Sequence, residues 1–377
     1  MRNPYLFILS FFSIYFLLHL YLYLRVIAPG ISNKIVKDLI KFLLLLNFLG
    51  PLFMRYADKN FPPQITFFIA FLALFGMGFI LYLTFFTLIL EIYRIWVKFY
   101  KKSPFSTPKD FLFFTFFSSL ALSLYSHYET YKLEVVKIKI QTSKLPSHLS
   151  SFKILHLSDL HLGPVMGLKQ INMVKEVYLK EKPDLVLSTG DLVDGNMKNR
   201  LHLAYALKEL SPPYGKFAIV GNHEYYRGIA QAIEFTERAN FKVLKGESIT
   251  IENWLTLVGL DDEDCKFFKA CHGPLDELEL LKKESPSHFK ILLKHKPKVN
   301  YEAVGHFDLM LSGHTHGGLY YPFGKWIVSK IFKFKNQFEY LGEGSYVIVS
   351  KGVGTGGPPM RFLSPPDVVI IEILRNP

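Results

Sequence analysis

Ile154-Leu155-His156-Leu157-Ser158-Asp159-Leu160-His161 is an apolar run that ends in an aspartate and a histidine two positions apart. In a strand, residues i and i+2 share a face, so at a strand's exit the two side chains can converge on one point. A carboxylate oxygen beside an imidazole nitrogen suits divalent transition metals. One Asp-x-His pair arises by chance in many chains, and its weight comes from its company in the rest of the chain.

The same cargo recurs downstream. Gly190-Asp191 is followed by Asp194, and then come Gly221-Asn222-His223-Glu224, Lys294-His295-Lys296-Pro297 and Gly313-His314-Thr315-His316-Gly317-Gly318. Each cluster comes after a short apolar run. In α/β sheets, ligands bind beyond the carboxyl ends of strands, where loops converge. Glycine precedes Asp191, Asn222 and His314, and permits close approach of backbone to a ligand.

The intervening pattern supports an α/β reading. Residues 136–141 alternate Val136, Ile138 and Ile140 with Lys137, Lys139 and Gln141, a strand with one wet face at a sheet edge. Strands at 152–157, 184–188 and 217–220 alternate with helices at 168–180, 201–210 and 229–239. Short strands then occur at 241–244, 249–251, 255–258, 289–293, 309–311, 346–349 and 368–373. Two sheets face to face with helices outside accommodate so many strands.

Asp159, His161, Asp191, Asn222, His295, His314 and His316 are the candidate ligands. Seven side chains are too many for one metal and suit two, with Asp191 as the natural bridge. Two divalent ions less two carboxylates leave the site positive, which favours an anionic substrate such as a phosphate ester. Paired metals lower the pKa of a shared water to around 7 and neutralise phosphoryl oxygens. His223 is then free to protonate the leaving oxygen; the competing reading is a histidine that positions substrate. Asp194 and Glu224 are expected to orient ligands or cap helices, and His156 to be a core histidine. Arg361 is open between a phosphate contact and a structural role. Aspartates 261, 262 and 264 lack the spacing of a calcium loop.

The amino-terminal third reads differently. The chain has 377 residues, half of them apolar, and a net charge of +12. Apolar runs at 5–24, 39–54, 65–90 and 111–128 approach the roughly 20 residues that span a bilayer as a helix. Four transmembrane helices are expected, the second and fourth open to being interfacial or buried. Lysines and arginines concentrate in the first connection (Arg25, Lys34, Lys37, Lys41) and the third (Arg94, Lys98, Lys101, Lys102, Lys109). Arg2 alone precedes the first helix. That bias makes those two connections cytoplasmic and leaves everything after Tyr128 outside. Residues 1–130 hold 12 Lys/Arg against 5 Asp/Glu, an excess that topology explains without nucleic acid. The two cysteines, Cys265 and Cys271, are open between a small disulfide loop and free thiols.

Asp-x-His, Gly-Asp, Gly-Asn-His-Glu, a lone His after a strand, and Gly-His-Thr-His, in that order, resemble the signature of the calcineurin-like metallophosphoesterases over about residues 152–374. The ending from Gly352 through Arg361 to Pro366, with the amino-terminal helices, looks like the membrane-embedded branch of that family. The resemblance implies an α-β-β-α four-layer sandwich. It implies Asp159, His161 and His316 on one metal, Asn222, His295 and His314 on the other, Asp191 bridging, and His223 as general acid. The metals implied are manganese, iron or zinc. The domains expected are a transmembrane helical domain at 1–130, an edge strand and linker at 131–151, and a catalytic domain at 152–377. The function expected is a multi-pass, membrane-anchored phosphohydrolase with an extracytoplasmic active site. It would cleave phosphoester or pyrophosphate bonds of a lipid-linked substrate such as a phospholipid or a UDP-diacylglucosamine-like molecule. No nucleic acid partner is expected. The alternatives are a phosphodiesterase on soluble nucleotides and a non-catalytic membrane receptor or scaffold.

Overall fold

The computed structural model describes residues 4–100, 107–332 and 337–376. Arg2, Lys101 and Lys102, which enter the topology reading, lie outside them. The chain divides into two units. One comprises residues 1–128 with 357–360, and the other residues 129–356 with 361–377.

The first unit is helical. Helix α1 covers Pro4–Leu22 and continues through a π turn at Tyr23–Ile27. It is followed by α2 (Lys34–Asn60), α3 (Pro63–Tyr100) and α4 (Pro108–Glu129). Helices thus form over all four apolar runs. Two segments, Ile8–Gly30 and Pro63–Val97, are long and apolar enough to cross a membrane. Helix α2 carries Lys34, Lys37, Asp38 and Lys41 toward one end and Arg55, Asp58 and Lys59 toward the other. Helix α4 is diluted by Ser118, Ser119, Ser123, Ser126 and His127. Polar groups inside this unit satisfy each other: Tyr15 donates to Asn47 Oδ1 at 2.6 Å, and Tyr82 Oη lies 2.6 Å from Ser126 Oγ.

The second unit holds two mixed six-stranded sheets. The strands of the first are β1 (Glu134–Thr142), β2 (Ser151–Leu157), β3 (Leu185–Ser188), β4 (Lys216–Ala218), β5 (Lys242–Val243) and β12 (Asp367–Arg375), ordered β1-β12-β2-β3-β4-β5. Strands β2 to β5 run parallel, and β12 runs antiparallel to β2. β1 lies at the edge, and Ile138 and Ile140 are buried while its lysines face water, as its alternation requires. The second sheet contains β6 (Glu247–Ile251), β7 (Leu255–Gly259), β8 (Phe289–Leu293), β9 (Leu309–Ser312), β10 (Phe338–Gly342) and β11 (Ser345–Val349), ordered β10-β11-β9-β8-β7-β6.

One apolar cluster joins residues of both sheets: Ile154, Leu185 and Phe217 from the first, Leu257, Phe289 and Ile348 from the second. Leu155, Leu157 and Val186 point the other way. They bury against Ile171 and Val174 of helix α5 (Leu168–Glu181), Leu203 of α6 (Leu201–Lys208) and Phe235 of α8 (Ile229–Arg238). Strand β2 is therefore apolar at successive positions because both of its faces are covered. A third cluster sets Val258, Leu292 and Met310 against Leu280 and Leu281 of helix α10 (Glu277–Lys283).

Candidate metal centre

The site forms where β2, β3, β4, β8 and β9 end. Asp159, His161, Asp191, His314 and His316 all have left-handed backbone, with φ between 49° and 68°. Such conformations cost non-glycine residues free energy and cluster at functional sites. Here neighbouring backbone compensates: Asp159 N and His161 N donate to Gly190 O and Asp191 O, fastening the first exit loop to the second. The glycines beside these residues give the ligands room. A Cβ on Gly313 would lie 2.2 Å from Asp159 Oδ2, and one on Gly221 2.3 Å from Asp191 Oδ1.

Two sets of donor atoms converge. In one, His161 Nε2 lies 3.1 Å from His316 Nε2, with Asp159 Oδ1 at 3.8 and 3.6 Å from them. In the other, His295 Nε2 lies 3.2 Å from Asp191 Oδ2, 3.2 Å from His314 Nδ1 and 3.1 Å from Asn222 Oδ1. Asp191 Oδ2 also stands 3.8 Å from His161 Nε2, between the sets. His295 Nδ1 lies 2.7 Å from Thr189 O and donates to it, which turns the other ring nitrogen toward the cluster. Nitrogen and oxygen atoms at about 2.1 Å from one cation, at right angles, would be roughly 3.0 Å apart. The His161–His316 pair and the His295 contacts, at 3.1–3.2 Å, have that spacing, while the Asp159 contacts and the Asp191–His161 contact are longer at 3.6–3.8 Å. The donor set fits divalent cations, and the structure brings Asp159, His161, Asp191, Asn222, His295, His314 and His316 together in it.

A third cluster adjoins these. His223 Nδ1 lies 2.9 Å from Asp194 Oδ1, an ion pair rather than an aligned hydrogen bond. Asp194 also accepts from Arg227 Nε at 2.7 Å and faces His161 Nδ1 at 3.5 Å. The His161 and His223 rings meet edge to face at 4.6 Å. Burial favours the neutral His223 ring, yet the Asp194 and Asp191 carboxylates outweigh it and hold its pKa at about 9. His295 is likewise pulled down by burial and raised further, to about 10, by Asp191. His314 goes the opposite way, to about 3, through burial and the positive His295 beside it.

Glu224 ties the loops together. Its Oε2 accepts from Gly221 N at 2.8 Å and Asp191 N at 3.0 Å, and its Oε1 from Val193 N at 2.9 Å. Burial raises its pKa to about 7, and Asp191 adds to the rise. Glu224 and Asp194 are thus the orienting groups expected. Arg361 resolves to the structural side: it is fully buried and donates to the carbonyls of Lys351, Gly352 and Gly354 at 2.7–2.9 Å. Lys294 and Lys296, which flank His295 in sequence, are neutralised locally. Lys294 pairs with Glu277, and Lys296 with Asp262 and Asp264. His156 is a core histidine, 2.9 Å from Thr189 Oγ1. Cys265 and Cys271 form a disulfide. Sequence reasoning missed Arg227 and the Thr189 carbonyl, whose roles depend on neighbours remote in the chain.

The calcineurin-like phosphoesterase family profile matches residues 152–318. An Aquifex aeolicus chain named "Uncharacterized metallophosphoesterase" is 52% identical over 257 residues, 68% of this chain and 98% of its own length. The Bacillus subtilis "Uncharacterized metallophosphoesterase YkuE" is 30% identical over 263 residues, 66% of this chain and 88% of its own. The "Transmembrane protein with metallophosphoesterase domain" of Bos taurus is 29% identical over 258 residues, 64% of this chain and 57% of its own. With the metal-binding constellation in place, these likenesses make the chain a member of the calcineurin-like metallophosphoesterases, a family of metal-dependent phosphoesterases.

Proposed function

We propose that the chain is a membrane-anchored, two-metal phosphohydrolase acting on a lipid-linked phosphoester or pyrophosphate. The observation that carries this reading is the convergence of two donor sets on Asp191 with His223 beside them. Asp159, His161 and His316 would hold one ion, and Asn222, His295 and His314 the other, with Asp191 between. Manganese, iron or zinc suits such oxygen and nitrogen donors. When bound, the ions supply Lewis acidity toward phosphoryl oxygens and an activated water. His223 is placed to deliver a proton to the leaving oxygen, while Asp194 holds the ring in place. Arg227 and Glu224 fix the loops that carry these groups.

Several features favour a membrane setting. Two helices are long and apolar enough to span a bilayer, and the two others are proposed to complete a four-helix domain at 1–130. Beyond the edge strand and linker at 131–151, the catalytic domain at 152–377 would form a helix–sheet–sheet–helix sandwich. The Cys265–Cys271 disulfide agrees with an oxidising, extracytoplasmic compartment. The test is a substrate panel with full-length protein in detergent, stripped of metal and reloaded with manganese. It includes bis(p-nitrophenyl) phosphate, phospholipids, UDP-diacylglucosamine and soluble nucleotides. Hydrolysis restored by metal and abolished in Asp191→Ala supports the reading. Binding without turnover on every substrate would replace it with a receptor or scaffold.

A further inference from the structure

Ten residues, Phe323–Phe332, form helix α11 six residues beyond the Gly-His-Thr-His segment, and none of them is buried. The helix is two-faced. Gly324, Val328 and Phe332, spaced four apart, are its partly covered side. Gly324 sits so close to Gly318 that a Cβ there would overlap the Gly318 carbonyl, and the Phe332 ring meets His314 edge to face at 5.6 Å. Outside that side Trp326, Ile327 and Ile331 are 63%, 48% and 58% exposed. Lys325 and Lys330 on the same helix are exposed as well. A tryptophan and two isoleucines turned to water on one helix are unfavourable unless something apolar covers them.

We infer that α11 is an interfacial helix that seats on an anionic lipid surface and holds the lip of the metal centre at headgroup level. The chemistry of the exposed side fits this one occupant. Tryptophan prefers the boundary between headgroup and acyl chain, the isoleucines enter the acyl region, and long lysine stems carry their ammonium groups to lipid phosphates. Segments long and apolar enough to span a bilayer in the same chain supply the surface. The Phe332–His314 contact sets the helix against a candidate metal ligand, so a helix lying on lipid would bring headgroup phosphoesters to the ions. The inference deepens the lipid-substrate reading and rests on it for its functional sense, but its physical content is separately measurable.

The full chain is reconstituted into phosphatidylcholine vesicles containing about 30% phosphatidylglycerol, with or without acyl-chain-brominated lipid. Subtracting the fluorescence of Trp326→Phe isolates Trp326. The expected result is a blue-shifted Trp326 emission that bromine quenches by about twofold. Lys325→Glu/Lys330→Glu weakens that quenching in anionic vesicles and changes it little in neutral ones. Emission identical in brominated and plain vesicles overturns the inference. If the emission is blue-shifted in both, a protein surface such as a second copy covers the helix, which also overturns it. Phospholipid hydrolysis in the same vesicles tests the function separately. Quenching without hydrolysis keeps the helix on the bilayer and removes the lipid-substrate reading, whereas hydrolysis without quenching does the reverse.

Discussion

The Nε2 atoms of His161 and His316, 155 residues apart in the chain, stand 3.1 Å from each other and face Asp159. Two imidazole nitrogens at that distance can share one proton or one cation, and the adjoining carboxylate favours the cation. Replacing either histidine with alanine is expected to remove a ligand outright. Removing only a group that orients a ligand typically costs 10–100-fold, so His161→Ala and His316→Ala should each lose more than about 100-fold in turnover of bis(p-nitrophenyl) phosphate. Elemental analysis should show less bound metal per chain. Full metal content in both variants would contradict the assignment.

Asp194 acts one step further out, through His223 and Arg227. Its charge is a main reason the His223 pKa stands at about 9 despite burial. Asp194→Asn keeps the size and removes the charge. The expected loss in kcat/KM is about 10–100-fold, with metal content unchanged. The alkaline limb of the pH profile should also move to lower pH, because His223 would give up its proton earlier. An unshifted limb would mean that His223 is not the proton donor.

The seven candidate ligands were legible because each belongs to a local unit, an apolar run followed at once by glycine, aspartate, asparagine or histidine. Their grouping into separate donor sets was not local. It depends on β2, β3, β8 and β9 ending side by side, and only the sheet order shows that. Arg361 illustrates the limit: a lone arginine after a glycine-rich stretch carries no mark of the carbonyls that surround it. Lys294 and Lys296 flank a ligand in sequence, yet Glu277, Asp262 and Asp264 claim their charges. Strand β1 announced its wet edge through alternation, while β10 and α11 passed unnoticed. Both mix aromatics and charged residues on exposed faces, where burial imposes no period.

Metal uptake should release protons. In the metal-free chain His295 has a pKa of about 10 and His223 of about 9, both above the ordinary value of 6.5. A raised pKa means the folded state holds protons more tightly than the unfolded chain. The stabilisation from these two histidines is complete below about pH 6.5 and disappears as pH rises through 9 to 10. Metal-free protein should therefore melt at lower temperature at pH 9.5 than at pH 7. Binding through His295 must displace its proton, so apparent metal affinity should rise over the same range. Titration in two buffers of different ionisation enthalpy measures the protons released; none released at pH 7.5 would refute the assignment of His295.

Glu224 offers a test of the scaffold apart from the chemistry. Three backbone N–H groups, of Gly221, Asp191 and Val193, end on its two oxygens. Glutamine has one oxygen, so Glu224→Gln turns an NH2 group toward at least one of these donors. Leaving a buried N–H without a partner costs about 1–3 kcal/mol. The variant should lose stability by that amount in denaturant unfolding, and lose activity because the Asp191 and Asn222 loops are no longer tied. Activity falling with unchanged stability would instead place Glu224 in contact with substrate.

Arg361→Lys separates clamping from phosphate binding. The guanidinium Nη2 donates to Lys351 O, Gly352 O and Gly354 O, while Nη1 reaches Ser364 O at 3.0 Å, so its donors are spread over two stretches of backbone. An ammonium group is a point charge with three donors and cannot bridge both directions at once. At least one buried carbonyl then loses its partner, at about 1–3 kcal/mol. The expected signature is a lower melting temperature with or without metal, and a kcat reduced through the His316 loop, whose carbonyl lies 3.1 Å from Ser364 Oγ. KM for bis(p-nitrophenyl) phosphate should stay within about twofold, since uniform substrate binding is untouched. A large rise in KM with an unchanged melting temperature would show that the arginine reaches substrate after all.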